Sequence, residues 1–358
     1  MAGFTIERSS VPLSLDPADP AAAAFIAGLD VRNASEARAY GTQEVVATAA
    51  EVLPNWLDEH APKVLWLARV DGVVVGRAIH ETQVGEGSDV GWIDIDMHPS
   101  FERRGIGTAL ADAVEQYARE LGQSRLISYA AHPDAPGPRI ESPTGFGSVP
   151  ADNREVRFSL ARGYRLEQIE RASRFALPPD RRDLTDRRAE AQAAAGPDYA
   201  VHTWVGRTPP EWLADLAVLH TRMSTDAPSA GLEEPEDVWT VERLATYEQN
   251  HEAGAALIVT AAAEHVPTGR LVAFTQLEVP RAEGRALFQS DTLVLREHRG
   301  HRLGMLLKVA NLEKVDDAYP GRPSVLTWNA EENRYMLGVN EAVGFVPIGY
   351  EGAWRLDL

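Results

Sequence analysis

The sequence of 358 residues contains no cysteine. This absence excludes disulfide bonds, cysteine nucleophiles and thiolate metal ligands. The sequence also lacks any apolar run close to the roughly 20 residues that a membrane-spanning helix requires. Its first residues have no apolar signal core. We therefore expect a cytoplasmic protein with no membrane partner.

Lysine is almost missing as well, since only Lys63, Lys308 and Lys314 occur and arginine supplies the other basic residues. Acidic residues outnumber basic ones, 53 to 35, which gives a formal net charge of −18. Such a charge opposes the phosphates of nucleic acid, so we expect no nucleic-acid partner. An acidic surface suits a cationic small molecule such as an amine, and the alternative is acidity that serves only solubility.

A long internal repeat organises the chain. Segments 94–110 and 291–307 align at a constant offset of 197 residues, and the same offset pairs two turns that lie between β-branched runs. We predict an N-terminal domain at residues 1–177, a helical linker at 178–198 and a C-terminal domain at 199–358.

Each copy of the repeat has the same order of predicted elements. In the first copy, three meander strands are expected at 64–70, 73–81 and 90–97, followed by a helix at 105–121 with one apolar stripe. An insertion at 132–151, rich in Pro and Gly, predicts a long loop.

A basic, glycine-containing turn lies between a strand and a helix in each copy. The first turn carries Arg103, Arg104, Gly105 and Gly107. A helix N-terminus exposes unpaired N–H groups and a partial positive charge that together hold phosphate. Glycine lets the backbone approach an anion closely. The alternative is an ordinary helix start, in which glycine serves only the geometry of the turn.

The segment Met97-His-Pro-Ser-Phe-Glu-Arg-Arg-Gly-Ile-Gly-Thr-Ala-Leu110 resembles motif A of the GNAT acetyltransferases, V-x-P-x-x-[QR]-x-x-G-x-[GA]. A second family motif is similar to the segment that carries Asn333, Asn340, Gly344 and Phe345. Through the repeat, the resemblance covers nearly the whole chain twice. Together with the preference for Arg over Lys, it is typical of a tandem bacterial GNAT protein.

The resemblance implies two tandem GNAT-like α/β domains, each with a mixed, mostly antiparallel sheet whose central strand pair splays apart between flanking helices. In that fold, acetyl-CoA lies along the strand before the turn and the turn cradles its pyrophosphate. The residues expected to bind the coenzyme in the first copy are Met97, His98, Arg103, Arg104, Gly105, Ile106, Gly107 and Thr108. Those expected in the second copy are Val294, Leu295, Arg299, Gly300, Arg302, Leu303, Gly304, Met305, Asn333 and Asn340.

Both copies depart from the motif. Glu102 stands at the Gln/Arg position of the first copy, where a carboxylate would repel pyrophosphate unless it points away and a neighbouring arginine replaces it. In the second copy Arg299 fills this position, but Arg302 replaces the first glycine and either reaches the phosphate or obstructs the turn. We expect at least one copy to bind acyl-CoA.

Acetyl transfer to an amine requires a base for the amine proton. The family often uses a carboxylate on the last meander strand, where the repeat matches Asp94 with Asp291. These are the candidate catalytic residues, and the alternative is that each only caps the splayed strand edge. Asp96 is a lesser candidate, because Leu293 takes its place in the second copy.

The tyrosine that serves the family as acid is missing from both copies. Ser159 and Asn340 occupy its positions, and neither is an effective proton donor at neutral pH. Asn333 and Asn340 share one face of a predicted helix. The resemblance implies that this face points toward the coenzyme and that both are ligands, and the alternative is that they are exposed to solvent. Asn329 and Glu332 predict a capping box at the start of that helix.

The sequence thus favours an acetyl-CoA-dependent N-acetyltransferase, in which an amine of a small molecule attacks the thioester directly. The alternative is a catalytically degenerate acyl-CoA-binding protein. The ten histidines show no ligand spacing, so we expect no metal; His98 and His298 flank the turns, where solvated histidines are common. No oligomeric state follows from the sequence.

Overall fold

The computed structural model describes residues 3–85 and 88–358. They form two compact units, neither of which is one continuous stretch of chain. The first unit takes in the chain up to Arg171 together with Ser229–Pro235 and Gly349–Leu358. The second contains Ala172–Pro228 and Glu236–Ile348. No helix of the described ranges has the length and apolar character needed to cross a membrane.

The first unit is an α/β domain in which helices pack on a sheet. Its helices are α1 (Pro20–Tyr40), α2 (Ala49–Trp56), α3 (Ile106–Glu120) and α4 (Arg154–Ala161). Its strands are β1 (Phe4–Ser9), β2 (Lys63–Val70), β3 (Val73–Glu81), β4 (Val90–Met97), β5 (Arg125–His132), the short hairpin β6 (Arg139–Glu141) and β7 (Ser148–Pro150), and the start of β8 (Arg165–Ala176). The predicted meander and central helix are confirmed to within one residue, and the insertion at 132–151 contains the hairpin β6–β7.

Strands β1 to β4 form an antiparallel meander, whereas β4 and β5 are parallel because α3 carries the chain back across the sheet. The β4–β5 ladder joins only residues 90–93 to residues 125–128, although β4 continues to Met97. The two strands therefore splay apart after Ile93.

The amphipathic helix α3 anchors the core of the first unit. Ile106, Leu110, Val114 and Ala118 recur at helical spacing and are each 1% exposed or less. They pack with side chains from the meander in one hydrophobic cluster. Burial of each Leu or Ile side chain contributes about 1.5–3 kcal/mol, which fixes the N-terminus of α3 against the end of β4.

The last strand, β14 (Val346–Asp357), closes the sheet of the first unit. Residues 350–357 pair antiparallel with β5, and Trp354 is fully buried in the cluster around α3. The sequence-based boundaries assign these residues to the C-terminal domain. Their ladder with β5 instead places Gly349–Leu358 in the first unit.

The second unit repeats the architecture of the first. Its helices are α5 (Arg181–Ala195), α6 (Leu213–Asp226), α7 (Val241–Ala253), α8 (Leu303–Ala318) and α9 (Arg334–Val343). Its strands are the end of β8, β9 (Tyr199–Val205), β10 (Ala256–His265), β11 (Arg270–Pro280), β12 (Leu287–Val294) and β13 (Ser324–Ala330). The segment predicted as a linker forms α5, which packs into this unit and buries Leu184, Ala191 and Ala195.

Strands β9 to β12 are antiparallel, while β12 pairs with β13 in parallel over two residue pairs only. The second unit thus has a splayed pair at the same place as the first. The predicted fold class, a mixed and mostly antiparallel sheet with a splayed central pair in each of two α/β copies, is confirmed.

Candidate active site

The turn between β4 and α3 has an unusual backbone. Arg103 and Gly105 both adopt left-handed conformations, with φ of 59° and 80°, and Gly105 caps α3 without a side-chain hydrogen bond. The first N–H groups of the helix therefore receive no side-chain acceptor from the cap. A Cβ added at Gly105 would meet no atom within 4 Å. This open, N–H-lined end of a helix fits a pyrophosphate.

The matching turn of the second unit has the same conformation with glycine and arginine exchanged. Gly300 and Arg302 are left-handed, with φ of 88° and 54°, and Arg302 caps α8. The Arg302 guanidinium is paired with Glu190 of α5 at 2.5 Å. Arg302 therefore preserves the shape of the turn at the cost of a strained backbone, about 1 kcal/mol.

Glu102, the departure in the first turn, is compensated. Its carboxylate pairs with Arg154 at the start of α4, and Arg154 also bonds Glu155 at 2.7 Å. Arg154, which is distant in sequence, thus neutralises the carboxylate of Glu102 that departs from the motif. The side chain of Arg104 packs over the Phe101 ring at 4.9 Å.

A cleft of about 340 Å³ runs in the first unit from this turn to the splayed strands. Six of the eight residues predicted to bind the coenzyme there line it: Met97, Arg103, Gly105, Ile106, Gly107 and Thr108. His98 and Arg104 are not among its lining residues, and His98 accepts a hydrogen bond from the Ser100 N–H instead. Ser159, at the position of the missing acid, lines the cleft.

Two carboxylates, Asp94 and Asp96, line the floor of this cleft, and a buried arginine is bonded to both. Arg77 of β3 donates to Asp94 at 2.9 Å and to Asp96 at 2.8 Å. Burial raises the pKa of Asp94 to about 7, Asp96 adds to the rise, and Arg77 opposes it. About a third of the Asp94 side chain is still exposed (34%). Asp94 therefore exchanges protons near neutral pH and is reachable from the cleft.

Glu36 of α1 is a further cleft carboxylate that the sequence analysis missed. It pairs with Arg32 at 2.6 Å. Burial raises the pKa of Glu36 to about 8, and the nearby carboxylates Asp96, Glu351 and Asp94 add to the rise against Arg32. The only sequence signal was the spacing of Arg32 and Glu36 on one helical face, which is typical of ordinary surface pairs.

Tyr129 of β5 also lines the cleft. Its hydroxyl donates to Glu234 at 2.9 Å, and the indole N–H of Trp92 reaches the same carboxylate oxygen at 3.4 Å. Burial first, and then the Glu234 carboxylate, raise the pKa of Tyr129 well above its ordinary value. The phenol is therefore protonated at all working pH values.

In the second unit, Asp291 has different neighbours. His220 of α6 places Nδ1 3.3 Å from the Asp291 carboxylate and stacks on Trp239 with 4.7 Å between ring centroids. His220 Nε2 is buried without a hydrogen-bond partner among the described residues. By the offset of the repeat, Phe274 and Leu293 replace Arg77 and Asp96, so apolar side chains take the place of the arginine and the second aspartate beside Asp291.

The coenzyme residues predicted in the second unit are engaged by the protein itself. Arg299 donates to the Val294 carbonyl at 3.1 Å and to Asp226 at 3.0 Å, and Arg296 also pairs with Asp226. Val294, Leu303 and Gly304 are buried, Leu295 and Met305 pack against the core, and Gly300 is exposed in the turn.

The two predicted asparagine ligands have structural partners. Asn333 is the N-cap of α9 and accepts the Met336 N–H, while Asn340 is buried and donates to Asn329 at 2.7 Å. The predicted capping box at Asn329 is wrong, because the chain stays extended in β13 through Ala330 and α9 begins only at Arg334. No group of three or more His, Asp or Glu side chains in the described ranges is arranged to hold a metal ion.

The fold and its cleft are similar to those of acetyltransferases in comparisons with known proteins. Residues 31–136 match the model of the acetyltransferase (GNAT) family. The sequence matches none of the curated proteins with which it was compared.

Several solved structures share the fold over the whole chain. A tandem GNAT protein from the clavulanic acid biosynthesis pathway is 24% identical, with a TM-score of 0.72 over 99% of this chain and 98% of that one. A GCN5-related N-acetyltransferase from Sphaerobacter thermophilus is 16% identical, with a TM-score of 0.59 over 99% and 95%. A putative acetyltransferase from Pyrococcus horikoshii is 11% identical, with a TM-score of 0.55 over 100% and 90%.

Part of the chain, residues 31–136, thus matches the acetyltransferase (GNAT) family, and the whole chain shares the fold of a tandem GNAT protein. Acetyl transfer is the general activity of that family. The family match lies on the strands and the turn that build the cleft of the first unit.

Proposed function

We propose that the first unit is an acetyl-CoA-dependent N-acetyltransferase that acts on an amine of a small molecule. The observation that carries the proposal is Asp94, a carboxylate with a pKa raised to about 7, at the splayed end of a cleft whose other end is an anion-binding turn. A base and an anion site in one cleft are what acetyl transfer from a phosphorylated thioester needs.

The residues of the turn would hold the pyrophosphate of the coenzyme. Arg103 and the first residues of α3 line the cleft, and Arg154 neutralises Glu102 beside them. When bound, acetyl-CoA supplies an acetyl thioester, from which the acceptor nitrogen takes the acetyl group while the C–S bond breaks and coenzyme A leaves as a thiolate that takes up a proton from water. The protein contributes position and charge to this exchange.

Asp94 would take the proton that the amine loses. Above pH 7 the carboxylate is mostly ionised and can accept a proton, and below pH 7 it is mostly protonated and cannot. Arg77 holds the carboxylate in place through a hydrogen bond of 2.9 Å. Asp94, once ionised, and the carboxylate of Asp96 beside it attract a cationic amine to this end of the cleft.

The second unit is proposed to be a coenzyme-retaining or structural copy without transfer activity. Its turn keeps the same backbone, which supports binding, but Arg299 is held by Asp226 and the Asp291 floor lacks the arginine and second aspartate of the first unit. A silent second copy accounts for the departure at Arg302, and Arg154 compensates the departure at Glu102 in the active copy.

Thiol release from acetyl-CoA, measured across a panel of primary amines, tests the proposal. We expect turnover with at least one amine, and its loss in Asp94→Asn but not in the matched variant Asp291→Asn. Tight acetyl-CoA binding without turnover on any amine would favour the alternative, a catalytically degenerate acyl-CoA-binding protein.

A further inference from the structure

Asp94 and Tyr129 stand opposite one another where the central strands separate. The parallel ladder ends at the pair Ile93 and Ser128, so Asp94 and Tyr129 are the next residues of β4 and β5. Residues alternate between the faces of a strand, and Trp92 and Ile127 are paired two positions before them. Asp94 and Tyr129 therefore lie on the same face of the sheet, and both line the cleft.

The hydroxyl of Tyr129 donates a hydrogen bond to a segment that is distant in the sequence. Its single proton is donated to Glu234, which belongs to Ser229–Pro235, a segment we call the strap. A phenol that gives its proton away keeps only its oxygen lone pairs for other partners. Toward the cleft, Tyr129 is therefore a hydrogen-bond acceptor.

The strap is firmly anchored in the first unit, so the position of Glu234 is fixed. Leu232 is fully buried with Val90, Ile127 and Ala353. Arg125 donates to the carbonyl of Glu233 at 2.5 Å, and Arg355 donates to the carbonyl of Gly231 at 2.7 Å. These anchors place the Glu234 carboxylate between the hydroxyl of Tyr129 and the indole of Trp92.

We propose that Tyr129, oriented by Glu234, is a specificity-determining residue that receives the acceptor of the first unit as an ammonium group. This inference rests on the proposed function and names the residues that select its amine. One N–H of the ammonium bonds the phenol oxygen of Tyr129, and Asp94 across the splay takes a proton from the same nitrogen before acetyl transfer.

Charge and geometry both favour a cationic donor at this point. The carboxylate of Asp94, once ionised, and that of Glu351 line this end of the cleft, and Glu234 fixes the direction of the phenol proton. A neutral acceptor molecule that carries only carbonyl oxygens finds no donor on Tyr129. Hydrogen bonds to charged groups are about twice as strong as neutral ones, so an ammonium gains most from this arrangement.

The test uses four variants of the full-length protein. Tyr129→Phe removes the acceptor oxygen, and Glu234→Leu frees the phenol proton to point into the cleft. Glu234→Gln keeps an oxygen that accepts from the phenol. Glu233→Gln is the matched control, because this neighbouring carboxylate of the strap is 65% exposed and pairs with Arg355 at 3.0 Å.

We expect Tyr129→Phe and Glu234→Leu each to raise the KM for the amine by about tenfold or more. Glu234→Gln should stay within about threefold of the wild type, and Glu233→Gln should match it, since the acceptor geometry is kept in both. The KM for acetyl-CoA and kcat should change little in all four, because neither Asp94 nor the turn is altered. A change confined to the KM for the amine distinguishes recognition from a general loss of structure.

Calorimetric titration of 1,4-diaminobutane into protein saturated with free coenzyme A gives a second readout that needs no turnover. The same two variants should weaken this binding by the same factor. An unchanged amine KM and unchanged binding in Tyr129→Phe and Glu234→Leu would overturn the inference, as would a wild type that binds no amine. Amine binding that depends on Tyr129 in a wild type without turnover would overturn the proposed activity and leave the inference standing.

Discussion

The two units present the same backbone at the turn and different chemistry at the floor. Left-handed residues recur at matched positions in both turns, although glycine and arginine exchange places. At the floor, the first unit sets Asp94 against Arg77 and Asp96, whereas the second sets Asp291 against His220 in an apolar surround. Duplication preserved the part that backbone geometry specifies, and divergence altered the part that side chains specify.

This difference separates two requirements of the fold. Anion binding at a helix start relies on backbone N–H groups, which most side chains leave intact. A base with a pKa near 7 relies on particular neighbours, because burial and a second carboxylate raise the pKa of Asp94 while Arg77 limits the rise. A copy that does not catalyse the reaction can lose the neighbours that tune the base and still keep the backbone that binds the anion.

The largest expected effect is loss of the base in one unit only. Asp94→Asn keeps the shape of the side chain but removes the proton acceptor, so kcat for amine acetylation should fall by about 10²–10⁴-fold. Asp291→Asn should leave kcat within about twofold, since its floor lacks the matching network. Thiol release at pH 8 measures both, and an equal loss in the two variants would show that the units are catalytically alike.

Buried charge gives the next comparison. Lys308 of α8 is 2% exposed, lies 5.7 Å from the centre of the Phe345 ring and forms no ion pair among the described residues; Ala111 stands at its place in the first unit. Burial lowers the pKa of Lys308 to about 7. Protonation therefore opposes folding of the second unit, and the opposition grows as the pH falls from the unfolded value of 10.5 toward 7.

Lys308→Met should accordingly stabilise the second unit by about 2–4 kcal/mol at pH 7 and by less at pH 10. Chemical denaturation at both pH values measures the free energy of unfolding, and Lys314→Met on the same helix is the control, with little change expected. If Lys308→Met increased the free energy of unfolding equally at the two pH values, better packing and not the titration of Lys308 would be the cause.

Features that depend on residues close together in the sequence were predicted, whereas contacts between residues far apart in the sequence were missed. The meander and the turn are local patterns that recur in both copies of the repeat, and the sequence predicted them to within a residue or two. Tyr129 meets Glu234, Glu102 meets Arg154, and Asp291 meets His220 only after folding. No spacing rule connects such pairs, so the partners that determine charge at the site were not predictable.

A local signal also failed where the sheet overrode it. Asn329 and Glu332 have the spacing of a capping box, yet Asn329 lies in β13 and Asn333 caps the helix. The C-terminal strand β14 shows the same effect on a larger scale. It comes after the second copy in the sequence, but it pairs with β5 of the first unit. In both cases sheet pairing decided the outcome.

The pH dependence of acetylation provides a finer comparison with Arg77. The rate should rise with pH through about 7 and then level off, because the raised pKa of Asp94 keeps the base protonated at lower pH. Arg77→Met removes the group that opposes this rise, so the profile should move to higher pH, while Arg77→Lys should hold it near the wild type. A profile that stays in place in Arg77→Met would indicate a base other than Asp94.

The smallest expected effect concerns the exchanged residue of the turn. Gly105→Arg makes the first turn like the second, and a left-handed arginine should cost about 1 kcal/mol of stability. A Cβ at this position meets no atom within 4 Å, and the N–H groups at the start of α3 remain. We therefore expect the Kd for acetyl-CoA, measured by calorimetry, to rise by less than about tenfold.

Gly122→Arg, at another left-handed glycine with open space around its Cβ position, controls for the backbone cost. A rise beyond a hundredfold in Gly105→Arg alone would mean that an arginine side chain here obstructs the coenzyme, and Arg302 would then close the turn of the second unit.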